Sequence, residues 1–143
     1  MILVDANILM YIAGSGHPNR TASQSFIDRV FEGEIEAGLD AETLQEILHR
    51  YRSINRWDMG EHVFDLSRNL FETIYAIEER TVCLARQLMD QYRNLAARDA
   101  IHCAVVGEHG LDGICSFDRD FDDVAFVDRF YPDPDGRLQK GST

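Results

Sequence analysis

The apolar positions of this chain follow two patterns. Met1–Val4 and the stretch GICSF are short continuous apolar runs, and TIYAI is rich in β-branched and aromatic residues; each reads as a strand. Between them, apolar residues recur at helical spacing. Ile8 to Ile12 give a helix that follows Asp5 and ends near Gly14, and GSGHPN is a loop. Phe26, Ile27, Val30 and Phe31 form the stripe of a second helix, closed around Gly33. An extended piece near IEAGL precedes a third helix carrying Leu44, Ile47, Leu48, Tyr51 and Ile54. Met59 to Leu70 is a further helix, weakened by Gly60. Val82, Ala85, Leu88, Met89 and Tyr92 mark the next, and Ala97, Ala100, Ile101, Ala104 and Val105 the last. AFVD reads as a closing edge strand.

Strands alternating with helices predict a three-layer α/β/α domain around a central, mainly parallel sheet. Residues 1–131 are expected to form one domain, and residues 132–143, polar and rich in Pro, Asp and Gly, a loose C-terminal tail. No run approaches the ~20 apolar residues of a membrane helix, and the N-terminus lacks the basic region of a signal peptide. A cytoplasmic protein with no membrane partner is expected. Cys83, Cys103 and Cys115 lack metal-type pair spacing, so they read as buried, reduced thiols.

Charge narrows the function. The net charge of -11 argues against a surface that coats nucleic acid. It leaves room for a nucleic-acid enzyme whose carboxylates hold divalent cations, because the cations then supply positive potential. Lys140 is the only lysine, so the remaining positive charge is arginine, suited to bidentate phosphate contacts.

Sites in open parallel sheets lie outside the carboxyl ends of the strands. Asp5 directly follows MILV and Asp118 directly follows GICSF, so parallel pairing of those strands brings two carboxylates to one edge. Glu46 lies off the apolar stripe of its helix, where a solvated pair with Arg50 at i, i+4 explains it as well as a site does. Asp99 stands on a helix that is apolar on most sides, about one turn inside, which calls for a partner or a function. In SFDRDFDD, Asp118 and Asp120 form a candidate ligand pair. An EF-hand is excluded, because its sixth and twelfth positions would be Asp123 and Arg129. His102 reads as a structural or partly exposed histidine, since no second histidine stands at ligand spacing. No glycine-rich phosphate loop or GxSxG elbow is present.

Taken together, VDANIL, LQEILHR, RDAIHCAVV and SFDRDFDDV resemble, in order and approximate spacing, the acidic motifs of the PIN-domain nucleases, most closely the VapC-type toxins of toxin–antitoxin pairs. The resemblance runs from Met1 to about Phe126. It implies a metal-dependent endoribonuclease with Asp5, Glu46, Asp99 and Asp118 as catalytic acids, and Asp5, Asp99, Asp118 and Asp120 as metal ligands. Asn7 and Ser116 would orient those carboxylates. It also implies an RNA substrate and a cognate antitoxin. The segment from Arg52 to Phe71 is long for a minimal toxin of this type.

The chemistry agrees with that assignment. Hard carboxylate oxygens, with no paired Cys or His, select Mg²⁺ or Mn²⁺. Arg50 and Arg52, following Glu46 on one helix, are candidate phosphate contacts. The apolar side chains between Trp57 and Phe71 exceed the needs of one helix, so a homodimer or a bound partner is expected. Two alternatives compete. A haloacid-dehalogenase-like phosphatase using Asp5 would want an acid where Asn7 stands and a core lysine, whereas Lys140 lies in the tail. A non-catalytic acidic docking module would need no metal.

Overall fold

The computed structural model describes residues 1–142. The elements run β1 (Ile2–Val4), α1 (Ala6–Ala13), α2 (Pro18–Phe31), β2 (Ala37–Asp40), α3 (Ala41–Ser53), α4 (Trp57–Leu70), β3 (Ile74–Tyr75), α5 (Glu79–Gln91), α6 (Ala97–His109), β4 (Gly113–Cys115), a 3₁₀ turn (Arg119–Asp123), β5 (Arg129–Pro132) and β6 (Leu138–Lys140). The six strands form one sheet in the order β3-β2-β1-β4-β5-β6, parallel except for the β5–β6 pair.

Alternation along β1 splits the core. Ile2 and Val4 join the apolar cluster built with α1 to α4, while Leu3 joins the cluster built with α5 and α6. Both faces of the central strands are therefore buried, which is why they read as unbroken apolar runs. The result is the three-layer arrangement the pattern predicts.

Four local expectations change. Residues 138–140 are not a loose tail: β6 pairs with β5, Pro132 opposite Leu138 and Tyr131 opposite Gln139. The PDPDG stretch is a tight turn, in which one carboxylate oxygen of Asp133 accepts the N–H groups of Asp135 and Arg137, and Gly136 takes φ +80°. The strand expected at AFVD begins instead at Arg129, because Val124 and Val127 are buried at a three-residue spacing that a strand cannot present to one face. Cys83 is exposed, since α5 turns Thr81, Ala85 and Leu88 inward.

Gly60 does not weaken α4, which runs unbroken. It brings α4 against α3 so closely that a Cβ there would lie 2.8 Å from Tyr51 Cβ.

Candidate active site

The strand order reverses at β1, between β2 and β4, the place where open α/β sheets form crevices. Asp5 leaves β1 at this point, its N–H donating to the Cys115 carbonyl at 3.0 Å. Its carboxylate is only 6% exposed and accepts a 2.6 Å hydrogen bond from the Ser116 hydroxyl. That oxygen in turn accepts from Asn7 Nδ2 and from the Asp118 N–H, each at 3.0 Å. One donor and two acceptor positions are then fully used. Ser116 thus fastens Asp5, Asn7 and the Asp118 turn to one atom.

Arg129 braces the same turn from β5. It is buried, donates from Nη1 to the Ser116 carbonyl at 3.1 Å, and grips both Asp122 oxygens at 2.8 and 3.1 Å. Asp118 Oδ1 accepts the Asp120 N–H at 2.9 Å, starting the 3₁₀ turn.

Glu46 arrives from α3 and is 8% exposed. Asp40 ends β2 and caps α3, Oδ1 accepting the Thr43 N–H at 2.9 Å. Asp40 Oδ2 lies 2.7 Å from His102 Nδ1, and His102 Nε2 lies 3.0 Å from Glu46 Oε1 and 4.0 Å from Asp5 Oδ1. Carboxylates only accept, so both ring nitrogens donate. Complete burial opposes a charge on His102, but the Asp40 charge and the bonds to Asp40 and Glu46 hold its pKa well above the ordinary value.

Asp99 sits in the first turn of α6. The helix dipole favours a negative charge there. Burial, followed by the charges of Asp5 and Asp118, nevertheless pushes its carboxyl up to about 7. Burial likewise raises the Asp5 pKa, opposed by His102 and the Ser116 hydrogen bond.

Asp5, Asn7, Glu46, Asp99 and Asp118 line one cavity of about 410 Å³, with Arg50 and Arg98 in its wall. Asp120 is exposed and lies outside it, yet Asp99, Asp118 and Asp120 each offer an oxygen within 4.8 Å of the others. Asp5, Glu46 and His102 form a second such group, but both His102 nitrogens are taken by carboxylates, so the open donors are hard oxygens. Burial, followed by mutual repulsion, raises one of them. Asn7 Oδ1 is buried on the cavity wall with no hydrogen-bond partner among the described residues. This set fits a divalent cation that prefers oxygen.

The comparisons with known proteins agree. Residues 2–127 match the PIN domain model. Ribonuclease VapC13 of Mycobacterium tuberculosis is 39% identical over 129 residues, covering 90% of this chain and 98% of that protein. The chain is a PIN-domain protein of the VapC ribonuclease family. Two solved structures share the fold. The crystal structure of Mycobacterium tuberculosis VapC20, a sarcin-ricin loop cleaving toxin, superimposes with a TM-score of 0.73 at 15% identity, covering 89% of this chain and 97% of that one. A toxin–antitoxin complex from Klebsiella pneumoniae gives 0.61 at 17% identity, covering 94% and 98%.

Set within this VapC-family fold, the four acids picked out in the sequence share one cavity. Glu46 is not the solvated partner of Arg50 that the helical wheel allows, and Asp99 lies within the first turn rather than one turn inside. Arg50 reaches the cavity wall, whereas Arg52 does not; its guanidinium stacks 4.2 Å over the Trp57 ring. Sequence reasoning missed Asp40, Arg98 and Arg129. Asp40 carries a signal like that of Asp5 and Asp118, an acid at the carboxyl end of a short strand. Arg129 had no local signal, because only the β4–β5 pairing brings it to Ser116.

Proposed function

We propose that this chain is the toxin of a type II toxin–antitoxin pair and hydrolyses phosphodiester bonds in RNA as a metal-dependent endoribonuclease. Asp5, Glu46, Asp99 and Asp118 are the catalytic carboxylates; Asp5, Asp99, Asp118 and Asp120 hold Mg²⁺ or Mn²⁺. The observation that carries this is the convergence of four carboxylates, from separate elements, on one cavity with arginines in its wall. When bound, the cation supplies charge neutralisation at the phosphodiester and a more acidic water. The chain does the rest. Ser116 and Asn7 fix the orientation of Asp5 and the Asp118 turn, so little reorganisation is needed when substrate arrives. Arg50 and Arg98 contact phosphates that flank the cut, and Arg52 is set aside for the stack on Trp57.

The two alternatives fit less well. A phosphatase of the haloacid-dehalogenase type lacks its core lysine, since Lys140 lies on edge strand β6 paired with Asp128. An acidic docking edge needs accessible charge, but Asp5 and Glu46 are buried.

Apolar side chains left open on the helical layer support a protein partner. Phe31 is 79% exposed at the rim of an apolar groove between α1, α2 and α4, and Leu66 lies beside it. We assign this surface to a cognate antitoxin; a homodimer and a cytoplasmic location belong to the same reading. Among the described residues, no helix is long and apolar enough to cross a membrane.

Incubation with tRNAs and generic single strands tests the activity. Cleavage is expected to vanish in EDTA, return with Mn²⁺ and fall steeply as salt rises. Undiminished cleavage by an Asp5→Asn/Asp99→Asn double variant would remove the assignment.

A further inference from the structure

We propose that the buried Asp40–His102 pair is a positioning device for Glu46: His102 holds one oxygen of Glu46 and leaves the other to the cavity. This rests on the reading of Glu46 as a catalytic carboxylate.

Three observations carry it. First, the bonds are continuous. Asp40 Oδ2 to His102 Nδ1 is 2.7 Å, and His102 Nε2 to Glu46 Oε1 is 3.0 Å. His102 and Asp40 are wholly excluded from solvent, and Glu46 nearly so. A buried, charge-paired triad is weak evidence for stabilisation by itself, because apolar residues of equal volume often stabilise as much, which leaves this one open to a task beyond folding. Secondly, the anchor is tied to the backbone that carries the site. Asp40 caps α3 through the Thr43 N–H, and the Thr43 hydroxyl donates to the carbonyl of Val4, the residue before Asp5. Glu46 and Asp5 are thereby referred to the same frame. Thirdly, His102 does not line the cavity, although Glu46 does. Its Nε2 lies close enough to Asp5 and Glu46 to join them as a ligand set, but only by giving up its bond to Glu46; with both nitrogens serving carboxylates it stands behind Glu46.

The arrangement has a consequence for Arg50. One turn along α3 from Glu46 and facing the same cavity, Arg50 is the natural ion-pair partner of a released Glu46. By holding Glu46, His102 leaves the Arg50 guanidinium available to substrate phosphate.

Two substitutions separate positioning from folding. In His102→Gln the amide nitrogen falls near the place of Nε2, so Glu46 stays held while Asp40 loses its partner. In His102→Asn it falls near Nδ1, so Asp40 stays paired while Glu46 is released. Mn²⁺ affinity by calorimetry, RNA cleavage as kcat and KM, and melting in EDTA are measured for both. His102→Asn should lose roughly ten- to hundredfold in kcat, the order of loss that follows when a site residue's supporting partner is removed, while Mn²⁺ affinity, carried by Asp5, Asp99, Asp118 and Asp120, changes little. His102→Gln should stay close to wild type in both, despite the lower melting temperature. Equal losses in the two variants, or losses that follow their melting temperatures, overturn the proposal. A measurement on the unaltered chain guards against variants that fail to fold. In a Mg²⁺ titration followed by ¹⁵N NMR, both imidazole N–H signals of His102 should persist at saturation. Loss of the Nε2 proton would make His102 a ligand and overturn it. Wild type that neither binds Mn²⁺ nor cleaves RNA defeats the site reading and this inference with it. Wild type that does both, beside an unaffected His102→Asn, defeats the positioning role alone.

Discussion

Replacing Asp99 by Asn should stabilise the metal-free protein while abolishing its response to Mn²⁺. Asn keeps the shape of the side chain and removes one charge from the crowded edge. The carboxyl of Asp99 stands at about 7 against an ordinary 3.8, because of burial and the charges of Asp5 and Asp118. At ~1.36 kcal/mol per pH unit, that gap corresponds to at most about 4 kcal/mol. Asp99 is partly open to water, and screening reduces the figure to about 1–2 kcal/mol. For a chain of this size, that is a gain of roughly 3–6 °C in melting temperature. The sign follows from proton uptake. Between pH ~4 and ~7 the folded form binds a proton at Asp99 that the unfolded chain has lost, so wild-type stability falls as pH rises through this window. The Asn variant has no such term. In EDTA, thermal melts followed by circular dichroism should coincide near pH 4, separate up to pH 7 and stay parallel above it. Excess Mn²⁺ should raise the wild-type melting temperature by mass action and leave Asp99→Asn almost unchanged. An Asp99→Asn protein that melts lower than wild type at pH 8 in EDTA would refute this reasoning and mark Asp99 as a structural partner.

Three further outcomes can be measured. Gly60→Ala should destabilise the protein by about 1 kcal/mol in urea: overpacking against Tyr51, typically about 1–3 kcal/mol, outweighs the roughly 1 kcal/mol gained in helix propensity. Asp122→Ala should cost about 3 kcal/mol in the same assay, because it strands the buried Arg129 charge, and it should lower kcat by loosening the Ser116 turn. Sedimentation at micromolar concentration should show a dimer or a complex with a co-purifying protein, and a monomer throughout would count against the partner surface around Phe31.

The layers of the fold were legible because β1 and β4 are buried on both faces, which leaves a continuous apolar signature, and because the helices have clear stripes. The boundaries that shifted are those set by tertiary pairing. Polar PDPDG resembles an unstructured tail until β5 supplies the edge on which β6 forms. The acids at strand ends were legible for the same reason as the strands: a charge directly after a buried run must meet a partner or solvent. Glu46 was ambiguous because a wheel shows one helix and not what packs beside it. His102 was undervalued because ligand spacing within the sequence was sought, while its two partners lie 62 and 56 residues away.

The two halves of the acidic edge are supported in different ways, and this difference bears on catalysis. Asp5 and Glu46 are buried and held by hydroxyl and imidazole donors, so their geometry is set before any ligand arrives. Asp99, Asp118 and Asp120 are more open to solvent, and the only side-chain bond among them is from the Asp120 N–H to Asp118. Burial, joined by the repulsion of Asp5 and Asp118, favours a proton or a cation at this edge, which is why the Asp99 carboxyl stands near neutrality. With the cation bound as proposed, the buried, hydrogen-bonded wall would define its position and the more open carboxylates would gain most from its charge. The fold tolerates this arrangement because the cost is local, confined to the mouth of a sheet whose two apolar clusters lie behind it.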